Sequence, residues 1–170
     1  TVVYIKVVSE DGLRTSYYKV TIIRKESDDA TLATVLNQPI GMGTGAGTWE
    51  DKRRVTINVP NSVATVSKSD IVTSHSKAGI WWFGPNWNNK TDSVNLPEGA
   101  ETIVCICVVA ENYYADLYYE VTIKRAAATH TVQFLDYDGN VLKTEIVNDC
   151  AGATAPADPQ RDGYTFTGWD

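Results

Sequence analysis

Aromatic and amide side chains are densest in Ile80-Trp81-Trp82-Phe83-Gly84-Pro85-Asn86-Trp87-Asn88-Asn89-Lys90, which holds three of the five tryptophans. An indole face stacks on the C–H face of a sugar ring, and asparagine amides bond its hydroxyls. Tryptophan is equally at home in protein interfaces and in cores. On a strand, Trp81 and Phe83 share one face and Trp82 takes the other. Aromatics on both faces leave some of this surface exposed or under a loop. Trp81, Phe83, Asn86, Trp87, Asn88 and Asn89 are therefore candidate contacts for a glycan or a protein. Trp87 is expected to be the exposed one, because Pro85 and the asparagines place it in a turn. The structural alternative is core packing, strongest at Trp82, with an aromatic wedge between modules.

Other constellations carry less. Gly41-Met42-Gly43-Thr44-Gly45-Ala46-Gly47 has the glycines of a phosphate loop, but no Lys-Ser/Thr and no helix pattern follow them. A flexible loop is the expectation. Asp136-Tyr137-Asp138-Gly139 begins like a calcium loop, yet Asp-Gly between two apolar runs reads as a hairpin turn. Ser27-Asp28-Asp29 reads as an exposed polar linker. His75 and His130, the only histidines, lie in no nucleophile motif. Cys105 and Cys107 stand at i and i+2, too poorly placed on one strand for a disulfide, and no second Cys/His pair has zinc spacing. They are expected to be free thiols. No catalytic residue, metal ligand or cofactor site is assigned, and the chain is read as a non-enzyme.

Charge narrows the partners. The net charge is −6, concentrated in residues 130–170, and Lys and Arg form no cluster of the kind that grips phosphates. Nucleic acid is excluded as a partner. No apolar run approaches the ~20 residues of a membrane span.

The elements that must position these residues read almost entirely as strands. Apolar alternation runs through Thr1–Val8, Tyr17–Ile23, Arg54–Val59, Thr102–Val109, Tyr118–Lys124 and Thr131–Leu135. Turn signals separate them, among them Glu10-Asp11-Gly12, Pro60-Asn61-Ser62, Pro97-Glu98-Gly99 and Asp138-Gly139-Asn140. Only Asp29–Leu36 is compatible with a short helix. The fold class is all-β.

The chain also repeats itself. Thr1–Arg24 aligns without a gap on Thr102–Arg125, an offset of 101 residues, with twelve of 24 positions identical. A period this long suits a whole small β domain rather than a solenoid unit. Each copy reads as a hairpin with one apolar face, set by Val3, Ile5 and Val7 in the first and Val104, Ile106 and Val108 in the second. Cys105 and Cys107 point away from that face. A lone hairpin is marginally stable, so the first copy is expected to borrow contacts from another sheet edge.

Two resemblances follow. Leu96-Pro97-Glu98-Gly99-Ala100-Glu101-Thr102-Ile103, with Tyr119-Glu120-Val121-Thr122-Ile123-Lys124-Arg125, resembles the cadherin-like modules of bacterial surface and secreted proteins. That resemblance implies an Ig-like β-sandwich over residues 27–126, with residues 1–26 as the closing strands of a preceding module. After a linker at 127–129, Thr131-Val132-Gln133-Phe134-Leu135-Asp136-Tyr137-Asp138-Gly139 and Gly163-Tyr164-Thr165-Phe166-Thr167-Gly168-Trp169 resemble the internalin-type B repeat, or Listeria–Bacteroides repeat. This implies part of a small β-grasp fold over residues 130–170. Cys150 stands where that family usually has glycine, and the family's last strands are not in the sequence.

Together these readings imply a non-catalytic spacer or adhesion segment of a larger multidomain protein, extracellular or on a bacterial cell surface. Its partners would be neighbouring domains of the same chain and a glycan or a host or bacterial surface protein. The alternative is a carbohydrate-binding accessory module of a secreted glycan-degrading system.

Overall fold

The structure is a computed structural model and describes residues 1–169. Thirteen strands follow one another: β1 (Val2–Val8), β2 (Thr15–Thr21), β3 (Leu32–Val35), β4 (Gln38–Pro39), β5 (Arg53–Val59), β6 (Thr65–Ser67), β7 (Ile71–Thr73), β8 (Gly79–Gly84), β9 (Ser93–Asn95), β10 (Glu101–Val109), β11 (Asp116–Arg125), β12 (Thr129–Leu135) and β13 (Val141–Asn148). Among the described residues the only helical element is a 3₁₀ turn at Lys68–Asp70. The all-β class is thus what the alternation of Val, Ile, Thr and Tyr dictates.

The centre of the chain has a four-stranded sheet in the order β5-β11-β10-β8, a three-stranded sheet β4-β3-β7 and a strand pair β6-β9. β11 pairs antiparallel with β10 and parallel with β5. One core joins these sheets. Val104, Ile106, Val108, Tyr119, Val121 and Ile123 meet Leu32, Val35, Ile57, Val66, Phe83 and Leu96 there. The six positions expected to be buried on β10 and β11 are 0–1% exposed. Across this core the Leu32 N–H donates to the Tyr119 hydroxyl at 3.3 Å, which satisfies a buried polar group and ties β3 to β11.

Asp29–Leu36 is not helical. Leu32–Val35 is strand β3, and Leu36 and Asn37 both take positive φ (50° and 60°) in the two-residue turn to β4. Leu32 and Val35 are drawn into the core, and that burial overrides a marginal local propensity.

β1 and β2 form a separate two-stranded sheet. Its register matches that of β10 and β11 throughout. Val3 faces Val20 as Val104 faces Val121, and Ile5 faces Tyr18 as Ile106 faces Tyr119. The turns match too. Ser9 N–H bonds to the Arg14 carbonyl as Ala110 does to Ala115, and Gly12 and Tyr113 are both left-handed. Among the described residues no third strand joins this hairpin, and its apolar face is open. Pairing with another sheet edge, in the same or a neighbouring molecule, is the expectation for this hairpin. Among the described residues no other strand of this chain pairs with it, and an ion pair from Arg24 to Glu111 reaches the central body.

β12 and β13 form a second two-stranded sheet. Its turn is the expected one: Gly139, at φ 85°, donates its N–H to the Asp136 carbonyl at 2.9 Å. Residues 149–169 contain no strand, and Phe134, Phe166 and Trp169 pack ring to ring, each with centroids 5.1 Å from Trp169. Among the described residues no helix is long and apolar enough to cross a membrane.

Candidate functional site

The outer face of the four-stranded sheet carries an aromatic layer. On β11, Tyr118 and Glu120 alternate with the buried Tyr119 and so point outward, opposite Cys107 and Cys105 of β10. Trp82 of β8 stands beside Cys107 on the same face. Above them Trp49, Trp87 and Tyr118 meet edge to face, with centroids 5.4–5.6 Å apart. Such contacts place each ring's positive edge on the next ring's negative face. The Lys52 ammonium lies 4.6 Å from the Trp49 ring and 5.7 Å from the Trp87 ring.

Trp49 reaches this place on the glycine-rich loop. That loop is pinned rather than flexible. Thr44 exchanges two backbone hydrogen bonds with Arg54, the Gly47 carbonyl accepts the Tyr118 N–H at 2.9 Å, and the Asp51 carboxylate accepts the Ala46 N–H at 2.8 Å. The glycines are required by close approach. A Cβ on Gly45, at φ 93°, would stand 2.1 Å from the Lys52 carbonyl oxygen. The N–H groups of Thr44, Ala46 and Gly47 are thus spent on Arg54 and Asp51, and among the described residues no helix follows the loop to face a phosphate.

Charge organises the rim. Glu120 accepts the Trp87 indole N–H at 3.2 Å and pairs with Arg54 at 3.3 Å. The Trp82 indole N–H donates to the Asn86 carbonyl at 3.2 Å, and the Asn86 side chain accepts the Asn88 N–H at 2.9 Å. Tyr118 donates to Asp116 at 2.9 Å, and burial together with this bond pushes its hydroxyl up to about 12.

The sequence-predicted residues divide. Asn86, Trp87, Asn88 and Asn89 form one turn beside the aromatic layer, closed by a bridge between Asn86 and Asn89. Trp87 is half-buried there, not the exposed residue its turn suggested. Phe83 faces inward at 1% exposure and has no surface to offer a ligand. Trp81 does not share its face: a bulge opposite Cys107 and Val108 leaves Trp81 unpaired, 57% exposed and edge-on to Tyr113 at 6.1 Å. Trp49 and Tyr118 belong to the site and were missed. The available signals were the aromatic next to Lys52 after the glycines, and the outward parity of Tyr118.

Cys105 and Cys107 are free thiols on the outward face, yet buried. Burial pushes each up to about 11, helped by the charge of Glu120 at Cys105 and of Asp116 at Cys107. They stay protonated at neutral pH and are not poised as nucleophiles. Among the described residues no group of three or more His, Cys, Asp or Glu side chains has the arrangement of a metal site.

A second cluster lies at the β10–β11 turn. Glu111 pairs with Arg24 and with Lys77 at 2.8 Å, and its other oxygen accepts the Ser27 N–H at 3.1 Å. His75 Nε2 lies 3.9 Å away. The bond from Arg24, then Lys77, lowers the Glu111 carboxyl to about 2. Ser27 and Asp29 are therefore not a free linker: Ser27 is tied to Glu111, and Asp29 caps Thr31. No family model, curated protein or solved structure matches this chain.

Proposed function

We propose that the chain is a non-catalytic spacer segment of a larger extracellular or cell-surface bacterial protein, built from β modules in series. In this reading residues 27–126 are a cadherin-like, Ig-like sandwich. Residues 1–26 close a preceding module, and residues 130–170 are part of an internalin-type B repeat.

One observation carries the reading: the chain enters and leaves the central unit at opposite ends of the β10–β11 hairpin. At entry, Ser27 is held by Glu111 and by the Asn112 N–H, beside the turn. At exit, the Ala126 N–H bonds to Val59, the Asn61 amide to the Ala126 carbonyl, and the Ala128 N–H to Glu98, beside the open end. The nine residues of β10 separate these points by about 30 Å. Entry and exit at opposite poles, each hydrogen-bonded, is what a unit needs to add length and transmit load.

Small-angle scattering of the chain tests the geometry. An elongated particle is expected, with a radius of gyration well above the roughly 15 Å of one compact domain of this size. A compact particle overturns the reading. Antibody labelling of intact cells of the source bacterium tests the location, and strictly intracellular signal overturns that half.

A second reading is favoured by a separate observation. Trp49 is 51% exposed, beside Lys52 and the asparagine turn. A half-open indole flanked by amide and ammonium donors suits a polysaccharide, so the aromatic layer is proposed as a carbohydrate contact of an accessory module.

A further inference from the structure

We infer that the Val3, Ile5, Val7, Tyr18, Val20 and Ile22 face of the N-terminal hairpin is a docking face. Its occupant is an additional β unit of the same construction as residues 27–101. This rests on the serial-module reading above and names the partner that reading requires.

The argument is the match between two hairpins in one chain. Six inward residues of the first copy are identical to their counterparts in the second: Val104, Ile106, Val108, Tyr119, Val121 and Ile123. Register and turn hydrogen bonds coincide. The differences fall on the other face, where Tyr4, Lys6 and Lys19 replace Cys105, Cys107 and Glu120, and at the turn end, where Ser9, Arg14 and Ser16 replace Ala110, Ala115 and Leu117, which pack against the central core. Yet the six residues are 40–54% exposed in the first copy and 0–1% exposed in the second. The same apolar relief that residues 30–96 cover in the central unit is left uncovered at the N-terminus.

The edges agree. In the central unit β8 pairs with β10 and β5 pairs in parallel with β11. The corresponding edges of β1 and β2 are both free, and free edges recruit strands. The Tyr119 hydroxyl accepts a backbone N–H from Leu32, and the occupant would offer Tyr18 the same donor. A second copy of this chain is a poor occupant, because its own residues 27–101 are already closed by β10 and β11.

Two variants of the full chain test the proposal. In the first, a second copy of residues 27–101 is fused directly ahead of Thr1. The Ile5 and Val20 amides are expected to exchange at least about 100-fold more slowly than in the unmodified chain, and Ile5→Asp in the fusion reverses this. In the second, the segment Thr102–Arg125 is replaced by the sequence of Thr1–Arg24 except that Cys105, Cys107, Leu117 and Glu120, which pack the outer face and the core edge of the central unit, are kept. Cooperative unfolding of this chimaera is expected. Unchanged exchange in the fusion, or a chimaera that never unfolds cooperatively, overturns the proposal. So does protection of Ile5 in concentration-dependent dimers of the unmodified chain, which assigns the face to a second copy. Scattering of the unmodified chain reads the serial geometry independently, so the two readings fail separately.

Discussion

Ile5 and Ile106 hold the same place in two hairpins of identical register, opposite Tyr18 and Tyr119, yet Ile5 is 44% exposed and Ile106 is fully buried. One side chain therefore has two energetic meanings. Ile106→Ala removes buried methylenes and leaves a cavity among Val104, Phe83 and Tyr119, at a cost of about 2–5 kcal/mol. Ile5→Ala in the unmodified chain should cost less than about 1 kcal/mol, since little apolar area returns to water. Denaturant unfolding followed by tryptophan fluorescence reads the central unit. Equal costs for the two substitutions would contradict the assignment of the core.

The Glu111 cluster makes the entry junction sensitive to acid. Its carboxyl is lowered from 4.5 to about 2, first by Arg24, then by Lys77 and the Ser27 N–H. A lowered value means the folded state favours the charged form, so the contribution is complete above about pH 4.5. It fades as pH falls toward 2. Glu111→Gln should therefore lower the melting temperature at pH 6 and converge with the unmodified chain near pH 2. A gap that stays constant across this window would show that the charge does not hold the junction.

Three thiols are free and only Cys150 is exposed. With Cys105 and Cys107 buried and pushed up to about 11, thiolate is scarce and access is blocked. An aromatic disulfide reagent at pH 8 should find one prompt thiol in the native chain and three after unfolding without reductant. Three prompt thiols in the native state would mean that the outer face of β10 is open.

The parts of this fold that were legible in the sequence are those fixed by local alternation. β10 and β11, their six inward residues and the Asp138-Gly139 turn follow from period-two patterning and left-handed glycine. The aromatic layer was only half legible, because its cover comes from a loop distant in sequence. Nothing local to Trp49 says that Gly43, Gly45 and Gly47 let its loop lie against β5. Trp81 was misplaced by one bulge, which breaks the parity on which face assignment depends. The first hairpin was expected to be covered, and within the chain it is not. Its strands obey the same local rules as β10 and β11, and the difference lies in what stands opposite.

The aromatic layer separates packing from recognition through two tryptophans with different burdens. Trp87 is half-buried, wedged against Trp49 and Tyr118 and bonded to Glu120. Trp87→Ala should cost about 2–3 kcal/mol, below the 3–5 kcal/mol of a fully buried large aromatic, and any loss of ligand would be confounded with that loss of structure. Trp49 is the cleaner probe. It is half-open and contributes mainly ring–edge contacts, so Trp49→Ala should cost about 1 kcal/mol. Retention on a panel of soluble and insoluble polysaccharides is then compared between the unmodified chain and Trp49→Ala, with melting temperatures alongside. In the spacer reading neither protein is retained and only the small stability change appears. Retention of the unmodified chain that Trp49→Ala removes, at a nearly unchanged melting temperature, assigns the layer to carbohydrate and replaces the pure spacer with an accessory binding module.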